Sequence, residues 1–512
     1  MPAPATFEFA FDNSVPSGIR TVASGDTSAI TGVQQAGGEV ANGWWHVASI
    51  DSFGQGNLKF EIDRSKLAGD LALVLHADWQ KDTDVAVQLY DAQGRAIALD
   101  LFGEMRRNAQ SVGTDTFVIP LERYPEATVI MVRRLSGDLR IAGGVLFPVL
   151  SEVTSKAENE EELAAKLGVI LSPHHAILSV GGKEFPSAPD NSVGQVHTVP
   201  SLEKTNALGA AILKQPNYPI YRPLTEGVLV PPKIAASNTT DFIIKNALRT
   251  IALRSDGKQT MPIMTSSDGV ASALLEEQFD LGFMSIAMSS AEKEKFFRSH
   301  GHPMVEISFA RDALVILVNV SNPVRSVTVP QLDAIYGTER RAGAPEEIRT
   351  WSQLGGEAGE ITVVGGYPNW GTTRTFQQIV LKGGAFRADM QKEDVVYSEG
   401  VESAVAKDPA AIGFATLRPR VPAVRALGVS PNSGEPIAHP EADDIYSGRY
   451  PLQRMFYIYL AAPSLEESGA FQRELVNLLL SDVGQTLVAR GGSLPLLASE
   501  VVAERNKLGL PK

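Results

Sequence analysis

Apolar positions follow two rhythms along this chain, and the change of rhythm divides it. Over residues 1 to about 150, short runs alternate or are wholly apolar: Leu58–Ile62, Leu71–His76, Val85–Tyr90, Thr116–Leu121, Thr128–Arg133 and Leu139–Leu146. Turn chemistry separates them, as in Gly54-Gln55-Gly56, Asp91-Ala92-Gln93-Gly94 and Ser136-Gly137-Asp138, because Gly and Asp accept the backbone angles of tight turns. Strands at this spacing, with no helical stretch between them, predict an all-β sandwich of jelly-roll type. Period-two alternation sends one indole of the Trp44-Trp45 pair into that core. Aromatic rings also stack on sugars, so Trp44, Trp45 and Trp79 give the domain an alternative reading as a glycan-binding module.

Residues 151–230 read as a connecting region. Glu158–Leu167 carries acids in a first helical turn, Asn206–Lys214 makes a second short helix, and Pro186–Pro200 and Pro216–Pro232 are extended. The neighbours His174 and His175 point apart on any regular backbone, so they read as surface residues and no metal site is expected.

From about residue 231 strands and amphipathic helices alternate, which predicts a mainly parallel α/β sheet with covering helices. Lys233–Ala236 is a strand, and Ser237-Asn238-Thr239-Thr240 leads into a helix with Phe242, Ile243, Ala247, Leu248 and Ile251 on one face. Met261–Met264 is followed by Thr265-Ser266-Ser267-Asp268-Gly269 and a helix, and Asp280–Met284 ends on Ser285. The fullest unit is Thr362–Val380. A strand enters a turn, and Asn369, Trp370, Gly371, Thr372, Thr373 and Arg374 open a helix carrying Phe376, Ile379 and Val380. The first N–H groups of a helix lack partners and the dipole is positive there, so hydroxyl-rich joins of this kind suit an anion. Capping alone explains the same residues equally well. In open α/β sheets ligands gather beyond the carboxyl ends of strands, where these joins lie.

Composition narrows the picture. A chain of 512 residues is too long for one core, so two or three domains are expected. A net charge of −13 opposes nucleic acid or an anionic membrane as partner, but not a small anion held locally. The absence of cysteine excludes a thiolate nucleophile, a Cys zinc site and a disulfide framework. Met1–Ser14 lacks the basic and apolar regions of a signal peptide, and Ala3-Pro4-Ala5 suits a mature exported chain with a starting Met. With no HExxH, Gly-x-Ser-x-Gly elbow or P-loop, a non-catalytic protein without cofactors is expected.

Ordered motifs then give residues 231–512 a family likeness. Ala235-Ala236-Ser237-Asn238-Thr239, Ser266-Ser267-Asp268-Gly269, Asp280-Leu281-Gly282-Phe283-Met284-Ser285, Arg311–Val324, Ile335-Tyr336-Gly337, Trp351–Gly355, Trp370–Phe376, Ala411–Phe414, Tyr450-Pro451-Leu452, Ser481–Gln485 and Gly492–Leu496 follow one another. In that order they resemble the phosphate-binding proteins of high-affinity phosphate ABC transporters. The resemblance implies a two-lobed periplasmic-binding-protein fold of the second class, with one lobe at about 231–313 and 418–512 and the other at about 314–417. It implies capture of phosphate or a related small ligand by hinge closure, a transporter membrane component as partner, and a periplasmic or extracellular location. The implied contacts are Ser237, Asn238, Thr239, Ser266, Ser267 and Ser285 from one lobe, and Asn369, Trp370, Gly371, Thr372, Thr373 and Arg374 from the other.

Three family positions differ. The family's Arg falls on Gly366, its Ser on Trp370, and its second cation or acid position on Ser285 and Ile286. Loss of an Arg from a buried anion site costs roughly 2–5 kcal/mol unless another donor replaces it; Arg374 is the replacement nearest in sequence. A sugar stacked on Trp370 also fits such a cleft. The alternative function is therefore a cell-surface or matrix adhesion protein, binding polysaccharide through residues 1–150, whose two-lobed domain has lost phosphate.

Overall fold

The computed structural model describes the chain apart from residues 1–5, 25–28, 48–55, 68, 95, 104, 107–109, 150–178, 181–182, 185–195, 199–201, 226, 228, 256–259, 368–369, 393–398, 418–420 and 512. The sequence-predicted helix Glu158–Leu167 and the pair His174 and His175 lie outside the described residues. Contacts divide the chain into two compact units, Met1–Pro200 with Arg249–Gln259, and Ser201–Leu248 with Thr260–Lys512.

The first unit is rich in β-strands, and each of the six apolar runs listed above overlaps a strand, Thr116–Leu121 running past its strand end at Ile119. One sheet runs Val196–Thr198, Ser111–Ile119, Asp70–Trp79, Leu139–Val149, Thr6–Phe11, Ile19–Ser24, with Trp44–Val47 and Glu39–Ala41 continuing from Leu139–Val149. A second runs Met105–Arg106, Asp84–Tyr90, Val129–Ser136, Asn57–Ile62, Ile30–Ala36. A single apolar cluster draws Phe9, Leu73 and Phe117 from the first sheet and Phe60, Leu89 and Ile130 from the second. The strand Asp70–Trp79 is buried at every position: Leu71, Leu73, Leu75, Ala77 and Trp79 enter the apolar cluster, and the other face carries buried Asp70, His76 and Asp78 beside Ala72 and Val74. Gly144 is required by close approach, because a Cβ there would collide with the Val74 carbonyl and lie 3.0 Å from the Phe9 ring.

The tryptophans divide as alternation predicts. Trp45 is 1% exposed. It stacks on Phe11 with ring centroids 5.7 Å apart and donates from Nε1 to the Gly37 carbonyl at 2.8 Å. Trp44, its neighbour, is half-buried against His76, and Trp79 is buried in the apolar cluster. Two of the three rings proposed to meet sugars are therefore committed to the core.

In the second unit a mixed sheet runs Ile263–Thr265, Ile234–Ser237, Leu281–Met284, Gln453–Leu460, Val305–Asn319, Ala411–Thr416, Thr362–Gly365, Gln391–Lys392. Its first three strands are parallel, as the strand–helix alternation requires. The long strand Val305–Asn319 pairs through its first half with Gln453–Leu460 and through its second with Ala411–Thr416. The helix read at Asn206–Lys214 is present as Leu202–Leu213. The proline-rich stretch after it is not free chain. Fully buried Glu474 accepts the Leu224 N–H at 2.9 Å and the Tyr221 hydroxyl, and Asp482 accepts the Tyr221 N–H at 2.8 Å; the helix itself is held by Asn206, which donates to the Ala489 and Ser493 carbonyls.

Substitution Trp45→Ala empties a closed core site and is expected to cost the first unit about 3–5 kcal/mol in urea denaturation. Trp44→Ala is expected to cost less than about half of that. Equal losses would overturn the assignment of inward and outward rings.

Candidate functional site

Three strand ends in the second unit deliver small hydroxyls to one place. Ser237 ends the strand Ile234–Ser237, Ser285 follows Leu281–Met284, and Ser267 opens the helix Ser267–Leu275. Ser285 Oγ lies 3.4 Å from Ser237 Oγ and 3.3 Å from Ser267 Oγ, and all three residues are buried. Ser267 Oγ also accepts the Ser285 N–H at 3.3 Å. Ser266 is the cap of its helix, accepting the Gly269 N–H at 3.1 Å, whereas the Ser237 side chain makes no capping bond. Thr239 is half-buried beside this cluster and Asn238 is exposed.

The helix Gly371–Ile379 points its start at the same hydroxyls. A Cβ built on Gly371 would collide with Ser285 Oγ and lie 3.3 Å from Thr239 Oγ1 and 3.6 Å from Ser237 Oγ. The helix carries no side-chain cap, because its cap position is Trp370, whose indole has no acceptor to offer. Its first backbone bond runs from the Arg374 N–H to the Trp370 carbonyl, leaving the N–H groups of Gly371, Thr372 and Thr373 outside the helical ladder. Thr373 Oγ1 is buried with no hydrogen-bond partner among the described residues. Asn369 lies outside the described residues.

The exchange of Arg and Ser for Gly366 and Trp370 has a steric logic. A Cβ at position 366 would fall 2.7 Å from Trp370 Cε3 and 2.9 Å from Thr373 Oγ1. The indole fills the space that a side chain at 366 needs, and it packs against Tyr367 with centroids 5.6 Å apart. A large ring at 370 and a glycine at 366 come together, and no cation can come from this loop.

The cations lie elsewhere. Arg374, the sequence-nearest replacement, is a third exposed and ion-paired with Asp268; partial burial lowers its pKa, though it stays charged. Arg454 went unnoticed in the sequence reading. It faces Asp312 across paired strands, and its Nε and Nη2 donate to Asp312 Oδ2 at 3.0 and 2.6 Å. Nη1 donates to Thr375 Oγ1 at 3.0 Å and Nη2 to Thr372 Oγ1 at 3.5 Å, both in the opening turns of the same helix. A signal was available: Arg454 shares the inward face of its strand with Phe456 and Ile458, and Asp312 sits within a run of apolar residues. A charge at such a position needs a buried partner.

Residues 233–478 match the family model described as the PBP superfamily domain. This matched stretch is here termed the PBP domain. The PBP domain is similar to a phosphate-binding protein, PstS, of Pseudomonas aeruginosa, 27% identical over 242 residues that cover 46% of this chain and 74% of that protein. Protein SphX of Synechococcus elongatus is 27% identical over 239 residues, 44% of this chain and 67% of its own. Among solved structures, an ABC-type phosphate transport receptor from Vibrio cholerae aligns over 53% of this chain and 100% of its own, at 21% identity and TM-score 0.43. PstS from Borrelia burgdorferi aligns over 53% and 99% at 19% identity and TM-score 0.39. The resemblance read from the ordered motifs thus has relatives bearing that name.

Gly371→Ala in the PBP domain is expected to cost about 1–3 kcal/mol through overpacking against buried Ser285. Adding Ser285→Ala removes the struck oxygen, so the double variant should recover at least about 0.5 kcal/mol relative to the sum of the singles. Strict additivity in thermal denaturation would mean that helix and hydroxyls do not meet.

Proposed function

We propose that the PBP domain is a non-catalytic solute receptor that captures phosphate in a cleft between two lobes, about 231–313 with 418–512 and about 314–417. The observation that carries this reading is the meeting of Ser237, Ser267 and Ser285 with the uncapped start of the helix Gly371–Ile379. Backbone N–H groups with a favourable dipole, ringed by hydroxyls, supply the many donors that a desolvated oxyanion needs. Relatives named as phosphate-binding proteins support the choice of anion. The contacts are Ser237, Thr239, Ser267, Ser285, Gly371, Thr372 and Thr373; Asn369, expected from the sequence, lies outside the described residues. Ser266 acts by capping, Arg374 acts through Asp268, and Trp370 shapes the wall.

On this reading the protein works outside the cytoplasm and hands its ligand to the membrane component of an ABC transporter. Residues 1–150 make a two-layer sandwich of jelly-roll type, a reading supported by two sheets sharing one apolar cluster. Polysaccharide binding there, and a sugar on Trp370, find no support among the relatives, and burial of Trp45 and Trp79 removes two of the rings it relied on.

Titration calorimetry of the full chain with phosphate, after unfolding and refolding to remove carried ligand, is expected to give a sub-micromolar Kd. Phosphate at about a hundred times Kd should then stabilise the domain by about 2.7 kcal/mol. An absence of both heat and thermal shift at millimolar phosphate would refute the receptor.

A further inference from the structure

We infer that Arg454, oriented by Asp312, is the cation that meets the bound anion, replacing the arginine that the loop at Gly366 cannot carry. The inference rests on the phosphate reading above and deepens it. Three observations lead to it. A side chain at 366 is excluded by Trp370 and Thr373. Arg374 is engaged by Asp268 and is a third exposed, where solvent weakens its charge. Arg454 alone of the three is buried, its side chain 4% exposed, and it reaches the turn that bears the orphan N–H groups.

Its donor count points the same way. A guanidinium has five N–H donors. Two go to Asp312, one to Thr375 and one to Thr372. The fifth, on Nη1, has no partner among the described residues, and a buried charged donor left open is costly unless a ligand takes it. Thr373 Oγ1, buried and unpartnered in the same first turn, adds a second vacant donor. Asp312 takes both of its bonds on one oxygen from Nε and Nη2, which fixes the plane of the guanidinium and turns Nη1 toward the helix. Asp312 is thus a positioning residue, and Arg454 is the contact.

The test is phosphate calorimetry on the full chain, wild type beside three variants. Arg454→Lys keeps a charge for Asp312 but loses the planar fork, and should weaken binding at least about tenfold. The double variant Asp312→Asn with Arg454→Gln leaves no uncompensated buried charge, so it should fold, melt close to wild type and lose about a hundredfold or more in affinity. Arg374→Gln should change affinity by less than about fivefold. Wild-type affinity in a folded double variant, or a hundredfold loss from Arg374→Gln, overturns the assignment while leaving the receptor reading intact. A wild-type chain that binds no phosphate overturns both.

Discussion

A helix whose first N–H groups find no acceptor among the described residues is an open electrostatic demand, and Gly371–Ile379 is one. Trp370 occupies the position where Ser, Thr, Asp or Asn would close the helix Gly371–Ile379 by accepting from its first turn. Near it stand hydroxyls, which both donate and accept, and a guanidinium held by Asp312. Ser237, Ser267 and Ser285 approach from the sheet, and Arg454 donates to Thr375 and Thr372 from the other side. On the reading proposed above, this convergence is what an oxyanion would meet.

Much of this was legible in the sequence because it is local. Strand runs in the first unit follow from alternation and turn chemistry. The joins at Ser237, Ser267, Ser285 and Gly371 follow from strand-to-helix changes of period. What escaped is what tertiary pairing creates. Asp312 and Arg454 are far apart in the chain and become neighbours only because Val305–Asn319 and Gln453–Leu460 align in that register. The loop arginine's absence was visible at Gly366, but its steric reason was not, since it depends on where the Trp370 ring folds back. The fully buried strand Asp70–Trp79 shows the complementary limit. Its apolar run reveals that it is covered, but not by what.

The stretch from Tyr218 to Thr225 shows composition misleading in a particular way. Proline removes backbone donors and favours extended chain, which reads as linker. Yet extended chain also exposes its remaining N–H groups to any acceptor it crosses. Glu474 and Asp482 supply carboxylates to those groups, so the segment is fastened by the backbone that proline leaves unpaired. Glu474 and Asn477, three residues apart on one face of the apolar helix Ala470–Leu479, were the available sign that something polar must lie against it.

A buried ion pair as the charge of an anion site raises an electrostatic objection, since Asp312 neutralises Arg454. The objection weakens at short range. Two unit charges 4 Å apart interact by about 4 kcal/mol at an effective dielectric of about 20. A countercharge behind the guanidinium at about twice that distance takes back about half, so a favourable field remains in front, alongside the helix dipole and the N–H donors. A lone buried arginine would give a stronger field but would itself have to be desolvated without compensation. On the proposed reading, pairing it with Asp312 lets the domain keep a fixed guanidinium in its interior without ligand, at the cost of part of its pull on an anion.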